Sequence, residues 1–363
     1  MATVCPVAPL HHGDNTSRLK ITSVKTLAES SNLTSIPSGY TFSASTSDDQ
    51  AVHSGHDDSI PVIDFSLFSS SNPDRRSKVV SDLAKACRDW GFFMVINHGV
   101  PESQMKAMFD MLTGFFDLTE EEKREFEGKH VLDPIRCGTS FNASVDKVFF
   151  WRDFLKVRVH PKFHSPTKPE GFSDVSAEYS GAVRKLVRGL LKGISESLGL
   201  EPGYIDEEMN MESSLQILTA NLYPPCPQPE LAMGMPPHSD HGLLTILMQN
   251  GIGGLQVHHG GKWVKIDPIP NAFLVNTGDH LEIMSNGKYK SVLHRAVVNN
   301  KATRISISVS NGPSADTVVI PAEQLVDGKN NRAMYIGMKY KDYLELQQSS
   351  VLDGKSGLDR VKK

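Results

Sequence analysis

Met233-Gly-Met-Pro-Pro-His-Ser-Asp-His-Gly-Leu-Leu-Thr-Ile-Leu247 is the stretch on which the reading of this chain turns. Two side chains able to ligate a metal, His238 and Asp240, stand two positions apart. The run after them, Leu243-Leu-Thr-Ile-Leu-Met248, is rich in strand formers. Successive side chains of a β-strand point to opposite faces, so positions i and i+2 share one. A strand beginning near Pro237 would aim both groups at one ion, with His241 turned the other way as a structural or surface residue. The bare pattern is common, and its weight depends on a third ligand and a reason for open coordination positions.

The third ligand candidate is His294, in Ser291-Val-Leu-His-Arg-Ala-Val-Val298, where largely apolar neighbours suit one polar group pointing into a core. Two histidines and one carboxylate on one side of a metal form the facial triad of non-haem Fe(II) oxygenases, which leaves three positions open. A structural zinc site would want four protein ligands, usually including cysteine, and no cysteine lies nearby. Further on comes Arg304-Ile-Ser306, inside a run (RISISVS) of small and apolar residues. An inward guanidinium there needs a carboxylate, because a buried unpaired charge is costly. No acid in the nearby sequence serves; Asp316 lies beyond the strand. The planar fork of arginine suits a bidentate carboxylate and Ser306 can add a hydroxyl donor, so the missing carboxylate would arrive with a bound dicarboxylate. The competing reading is an outward, solvated arginine on an edge strand.

Around this stretch the chain divides by character. It has 363 residues and formal net charge −4, enough for one large catalytic domain or two smaller ones. A near-neutral balance without a Lys/Arg cluster argues against nucleic acid as a partner, and no run reaches the roughly 18–20 apolar residues of a membrane span. Cys5, Cys87, Cys137 and Cys226 are scattered, so they read as small buried apolar residues of a protein in a reducing compartment. Residues 1–58 are Ser/Thr-rich without the apolar core of a secretory signal and read as a poorly ordered extension. The cytoplasm is the default location, with a chloroplast transit peptide as the alternative, and the chain is expected to act as a monomer.

Residues 59–208 read as helix-rich, beginning with the strand-like Ile60-Pro-Val-Ile-Asp-Phe65. Helical spacing predicts helices over Arg75–Trp90, from Pro101 to Phe116 and over Ala177–Leu198, and Thr119-Glu-Glu-Glu122 opens a short capped one. His98 reads as a satisfied structural histidine. Over 209–315 short strands take over: Ser214–Tyr223, Leu243–Met248, Leu255–His258, Lys262–Ile266, Ala272–Thr277, Val292–Val298 and Arg304–Ser310. Gly260-Gly261 marks a hairpin that leaves His258 and His259 exposed. Strands so spaced predict a jelly roll, followed over 316–363 by a C-terminal helix (Met338–Gln348) and tail. The fold class is thus α+β, a double-stranded β-helix core flanked by helices.

H-x-D, a distal histidine and R-x-S together resemble the plant-type 2-oxoglutarate/Fe(II)-dependent dioxygenases of specialised metabolism and hormone turnover. The resemblance runs from about Ile60 to Tyr343 and includes Trp90-Gly-Phe-Phe-Met-Val-Ile-Asn-His-Gly99, Asn221-Leu-Tyr-Pro-Pro-Cys226 and Gly278-Asp-His-Leu-Glu282, where His280 packs or hydrogen-bonds. It implies that His238, Asp240 and His294 bind Fe(II), that Arg304 and Ser306 hold the far carboxylate of 2-oxoglutarate, and that Tyr223 and Asn221 touch this co-substrate. It further implies consumption of O2, release of succinate and CO2, support by ascorbate, and hydroxylation of a small plant metabolite. Hydroxylation of a hormone or defence signal (a gibberellin, auxin or salicylate) is the alternative, and desaturation, dealkylation or ring closure would use the same site. From the region equivalent to Phe141–Leu155, Phe141, Phe150 and Trp151, with Lys156 and Ser310, are the implied substrate-pocket residues. Relatives that take flat phenolics carry an aromatic where Ser310 stands, so a flavonoid substrate is disfavoured. A binding protein that kept the jelly roll without chemistry would have no need of all five motif residues.

Overall fold

The computed structural model of the chain describes residues 22–31, 33–42, 52–53, 59–130, 132–141, 146–328, 331–350 and 354–363. The N-terminal half contains α1 (Val24–Ala28), β1 (Val52–His53), β2 (Val62–Asp64), α2 (Pro73–Lys85), β3 (Phe92–Ile96), α3 (Glu102–Asp117), α4 (Glu120–Lys123), β4 (Ile135–Thr139), β5 (Asp153–His160), α5 (Phe172–Ser197) and α6 (Tyr204–Glu208). Then follow β6 (Ser214–Tyr223), β7 (Met235–His238), β8 (Leu244–Gln249), β9 (Leu255–His259), β10 (Lys262–Ile266), β11 (Phe273–Thr277), α7 (Asp279–Met284), β12 (His294–Ala296) and β13 (Arg304–Ser314). The chain closes with β14 (Val318–Val319), β15 (Met338–Lys339), α8 (Tyr340–Ser349) and α9 (Ser356–Asp359).

Two sheets make the jelly roll. The larger runs β2-β3-β11-β8-β13-β6-β5-β4 and the smaller β1-β10-β9-β12-β7. Strand alternation assigns each side chain to one of two environments. From the larger sheet, Leu155 and Val157 of β5, Leu218, Ala220 and Leu222 of β6, Leu244, Ile246 and Met248 of β8, and Ile305, Ile307 and Val309 of β13 enter the main apolar core. That core also takes α2, α3 and the buried stripe Tyr179, Val183, Leu186, Val187, Leu190, Leu191 and Ile194 of α5. The intervening residues of these strands (Lys156, Thr219, Asn221, Tyr223, Thr245, Leu247, Arg304, Ser306, Ser308 and Ser310) face a cavity between the sheets. At the other end, Phe92, Met94, Leu255, Val257, Val264 and Leu274 pack the sheets together. A one-residue slip of β13 would send Arg304 and Ser306 into the helix side, so the core fixes the register of the polar face.

Local signals explain the helices. Asn72 caps α2 by accepting from the amides of Asp74 and Arg75, with Pro73 in the first turn, and Thr119 with Glu122 forms the expected capping box of α4. The helix expected from Arg75 runs on to Trp90, its last turn widening into a π-turn. Cys87, Cys137 and Cys226 are buried and free; Cys5 lies outside the described residues. His98 is satisfied by the Asn271 carbonyl and the Val100 amide. His258 is exposed, whereas His259 is half-buried against Trp90, the rings stacked 3.8 Å apart. Among the described residues no helix is long and apolar enough to cross a membrane.

The expected poorly ordered extension over 1–58 needs correction where the structure describes it. Val24 is fully buried, and α1, Ile36 and Tyr40 pack with Trp151 and Tyr223 in a satellite core. The rest of the extension expected to be poorly ordered, including most of 44–58, lies outside the described residues. Asp153 explains the docking. Its buried carboxylate accepts from Ser23 Oγ at 2.8 Å, the Val24 and Lys25 amides at 2.9 Å each, and Thr139 Oγ1 at 2.6 Å. The acid thus serves two orphan amides at the start of α1, a long-range partnership that sequence periodicity does not reveal. Asp153→Ala should cost about 2–4 kcal/mol by stranding these donors. Limited proteolysis should then cut residues 22–42 while the barrel remains protected; unaltered protection of that segment would rule out this anchoring role.

Candidate metal centre and carboxylate clamp

His238 and His294 come together because β7 and β12 pair antiparallel with these two residues in register. Their rings lie 4.2 Å apart. Asp240 Oδ1 is 3.7 Å from His238 Nε2 and 3.6 Å from His294 Nε2. All three ligand atoms lie within 4.8 Å of one another, so they could hold one metal ion. The route to this geometry differs from the expected one. β7 ends at His238 rather than starting near Pro237, and Asp240 sits in the bend before β8. Gly242, at φ 86°, makes this bend; a Cβ there would meet the Asn311 carbonyl at 2.9 Å. Because alternation stops at the bend, His241 is not on an opposite surface. It is buried, lines the same cavity, and its Nδ1 lies 2.8 Å from the Tyr340 hydroxyl. His280 is buried too and accepts from the Gly242 amide through Nδ1.

Backbone contacts prepare the imidazoles. His238 Nδ1 is 2.8 Å from the Pro236 carbonyl and His294 Nδ1 is 3.2 Å from that of Val292. A carbonyl can only accept, so Nδ1 of each ring carries a proton and Nε2 is the atom left to ligate a metal. Burial, reinforced by the neighbouring His294, pushes His238 down to about 3 and keeps it neutral. Burial alone would raise Asp240, but the imidazoles of His294 and His238 and the Asn276 amide, donating at 2.9 Å, hold it low, at about 2. Two imidazole nitrogens and one carboxylate oxygen converge, without a fourth protein ligand among the described residues. That set fits an oxygenase iron and not a closed zinc site.

The clamp stands on the facing sheet. Arg304 is opposite Tyr223 and Ser306 opposite Asn221 in the β13–β6 register. Arg304 is only 2 % exposed, on a strand bonded on both sides, so it is not a solvated edge residue. Its Nε and Nη2 donate to Gln249 Oε1 at 3.2 and 2.8 Å, the guanidinium lies 5.1 Å from the Tyr223 ring centre, and Nη1 is buried without a partner. Gly254 leaves the space this side chain uses; at φ 148°, a Cβ there would stand 3.1 Å from Arg304 Cδ. Asn221 Oδ1 is also unpartnered, and its Nδ2 reaches Ser306 Oγ at 3.5 Å. An unpartnered guanidinium nitrogen beside a hydroxyl is a donor pair that suits a carboxylate.

One cavity, open to solvent, joins the metal centre and the clamp. Of the substrate-pocket expectations, Phe141, Lys156 and Ser310 line it. Phe150 and Trp151 do not; both are buried, and Trp151 packs in the satellite core with its indole donating to the Pro224 carbonyl at 3.2 Å. Arg152 lines the cavity instead, as do Asn276 and, from α8, Gln347 and Gln348. The missed Asn276 had left a trace, being the polar member of the otherwise apolar Phe273-Leu-Val-Asn-Thr277.

Comparisons with known proteins agree with this geometry. The profile of the 2OG-Fe(II) oxygenase superfamily matches residues 214–313, and that of the non-haem dioxygenase in morphine synthesis N-terminal region matches 60–175. The chain is 48% identical over 305 residues to 2-oxoglutarate-dependent dioxygenase 19 of Oryza sativa subsp. japonica, covering 84% of this chain and 90% of that protein. It is 41% identical over 310 residues to Protein DMR6-LIKE OXYGENASE 2 of Arabidopsis thaliana, covering 84% and 88%. The crystal structure of JOX2 in complex with 2OG, Fe and JA superposes with a TM-score of 0.84 at 31% identity, covering 94% of this chain and 98% of that one. Two imidazoles, one carboxylate and a facing guanidinium therefore sit in a chain that belongs to the 2OG-Fe(II) oxygenase superfamily and is a 2-oxoglutarate-dependent dioxygenase.

Proposed function

We propose that the chain hydroxylates a small plant metabolite at the His238–Asp240–His294 centre, with Arg304 and Ser306 as the anchor of 2-oxoglutarate. The observation that carries these roles is the buried, partnerless Nη1 of Arg304 across one cavity from the three ligand atoms. Iron bound there, with 2-oxoglutarate and O2, supplies an oxidant for substrate C–H bonds while the 2-oxo acid goes to succinate and CO2. His238 and His294 present Nε2 to the metal, and the Pro236 and Val292 carbonyls fix both rings. Asp240 supplies the one anionic donor and Asn276 fixes its other oxygen. Arg304 and Ser306 orient the far carboxylate, Tyr223 covers the guanidinium, and Asn221 positions the hydroxyl. Leu247, Leu255 and Phe92 of the cavity wall keep water from the reacting centre. The scattered free thiols support a reducing, cytoplasmic setting.

Purified protein given Fe(II), ascorbate and 2-oxoglutarate is expected to release succinate, faster once a cognate substrate is added. Failure of Fe(II) and 2-oxoglutarate to bind together without oxygen would overturn the assignment.

A further inference from the structure

We infer that the prime substrate is a small organic acid whose carboxylate is held between Arg152 and Lys156, an inference that rests on the iron and 2-oxoglutarate roles proposed above. Arg152 immediately precedes β5 and Lys156 lies within it. Strand alternation puts both, with Phe154 between them, on the face opposite Leu155 and Val157. Both line the cavity that holds the three ligand atoms.

Neither cation meets a carboxylate at ion-pair distance among the described residues. Arg152 is 4 % exposed; its Nε donates to the Ser140 carbonyl at 3.0 Å and its Nη1 lies 3.0 Å from Met235 Sδ, a weak acceptor for a guanidinium. The rings of Phe154 and Phe141 flank it, with centres 5.0 and 6.0 Å from Cζ. Lys156 Nζ donates to the side-chain oxygen of Gln348. Asp153 is committed to α1 and Thr139, and it and Asp146 act on Arg152 only at longer range.

Charge balance then narrows the occupant. Among the described residues four cationic side chains line the cavity, Arg152, Lys156, Arg295 and Arg304, against one acid, Asp240. A divalent iron and the 2-oxoglutarate dianion cancel each other, and Asp240 goes to the metal. Arg304 faces the co-substrate, while Arg295 is taken up by Gln256, at 2.7 Å, and by the Trp263 ring, 4.1 Å away. Arg152, buried, and Lys156, half-buried, remain as two cations without an anion at ion-pair distance among the described residues, an arrangement that a desolvated carboxylate relieves. Burial, with repulsion from Arg136 and Arg152, pulls the Lys156 ammonium down to about 7, the direction expected of a cation still awaiting its counter-charge. The planar fork of Arg152 favours a carboxylate, and Phe141 and Met235 offer apolar contact to the body of the molecule.

The test uses the full chain loaded anaerobically with Fe(II) and 2-oxoglutarate, whose visible charge-transfer absorption reports loading. Benzoate, 4-hydroxycinnamate, indole-3-acetate and cyclopentaneacetate are titrated by calorimetry against their methyl esters. At least one acid should bind about tenfold or more tighter than its ester. Lys156→Gln and Arg152→Gln should each weaken that acid about 10- to 100-fold, change the ester less than about threefold, and leave the 2-oxoglutarate titration in place. The wild-type comparison and Lys156→Gln carry the test should Arg152→Gln fold poorly. Failure of every acid to bind tighter than its ester, or equal weakening of acid and ester by Lys156→Gln, overturns the inference while the loading signal stands. Absence of the loading signal in the wild type overturns the iron and 2-oxoglutarate roles themselves.

Discussion

Asp240→Asn is expected to lower Fe(II) affinity by on the order of 10³-fold and to reduce 2-oxoglutarate-dependent succinate release below about a hundredth of the wild-type rate, given that even outer partners of metal ligands are worth about 10- to 100-fold. The substitution is isosteric. It removes the anionic donor of the three and leaves the two imidazoles, while an amide oxygen can still accept from Asn276 Nδ2. The structure gives the variant a second signature. Without metal, Asp240 is a half-buried carboxylate beside His238 at 3.7 Å and His294 at 3.6 Å, whose Nδ1 atoms are engaged by backbone carbonyls. Burial of this charge is offset by His294, His238 and the Asn276 amide, which hold the carboxylate low, so apo Asp240→Asn should melt close to apo wild type. Metal binding stabilises the folded state by mass action, about 2.7 kcal/mol at a hundredfold excess over Kd. Anaerobic Fe(II) should therefore raise the melting temperature of the wild type and not of the variant. An apo variant that melts well below wild type, yet retains the Fe(II)-induced rise, would assign Asp240 to structure rather than to the metal.

How much of this site could be read in the chain depends on whether alternation held locally. It holds along β6, β8 and β13, where apolar residues turn to the helices and the intervening ones to the cavity; period puts Arg304 and Ser306 on one face, whereas their inward side and the partners Tyr223 and Asn221 come from the family resemblance and the β13–β6 register. It fails at Ser239–Gly242. There a glycine bend, not a strand, carries Asp240 to the metal centre, and the same bend brings His241 inside. The aromatic run Phe149-Phe-Trp151 misled for a related reason. It precedes β5 as irregular chain, and Trp151 is claimed by α1 and Tyr40, elements whose docking depends on Asp153 across a long sequence separation. The cavity-facing residue of that run is its charged neighbour, Arg152. Gln347 and Gln348 were hidden differently: α8 reads correctly as a helix, but no local pattern tells which opening a terminal helix will cover.

Arg304→Lys is expected to raise the KM for 2-oxoglutarate by about 10- to 100-fold, corresponding to the roughly 1.5–3 kcal/mol of a hydrogen bond to a charged group, while leaving Fe(II) affinity within about twofold. Lysine keeps the charge and removes the fork. In the wild type, Nε and Nη2 are tied to Gln249 Oε1, which leaves Nη1 as the free arm aimed at the anion. A single ammonium cannot hold Gln249 and present a second, fixed donor in the same plane. It also loses the flat surface that lies over Tyr223. The metal ligands stand on β7, β12 and the bend after β7, in or beside the smaller sheet, while Arg304 stands on the larger one, so the two losses should separate. Ser306→Ala should move KM in the same direction by less, about three- to tenfold, since a neutral hydroxyl donor contributes about 0.5–1.5 kcal/mol. Unchanged KM for 2-oxoglutarate in Arg304→Lys would contradict the clamp. A parallel loss of Fe(II) binding would instead mean that the variant had disturbed the barrel, which circular dichroism and the melting temperature of the apo protein can decide.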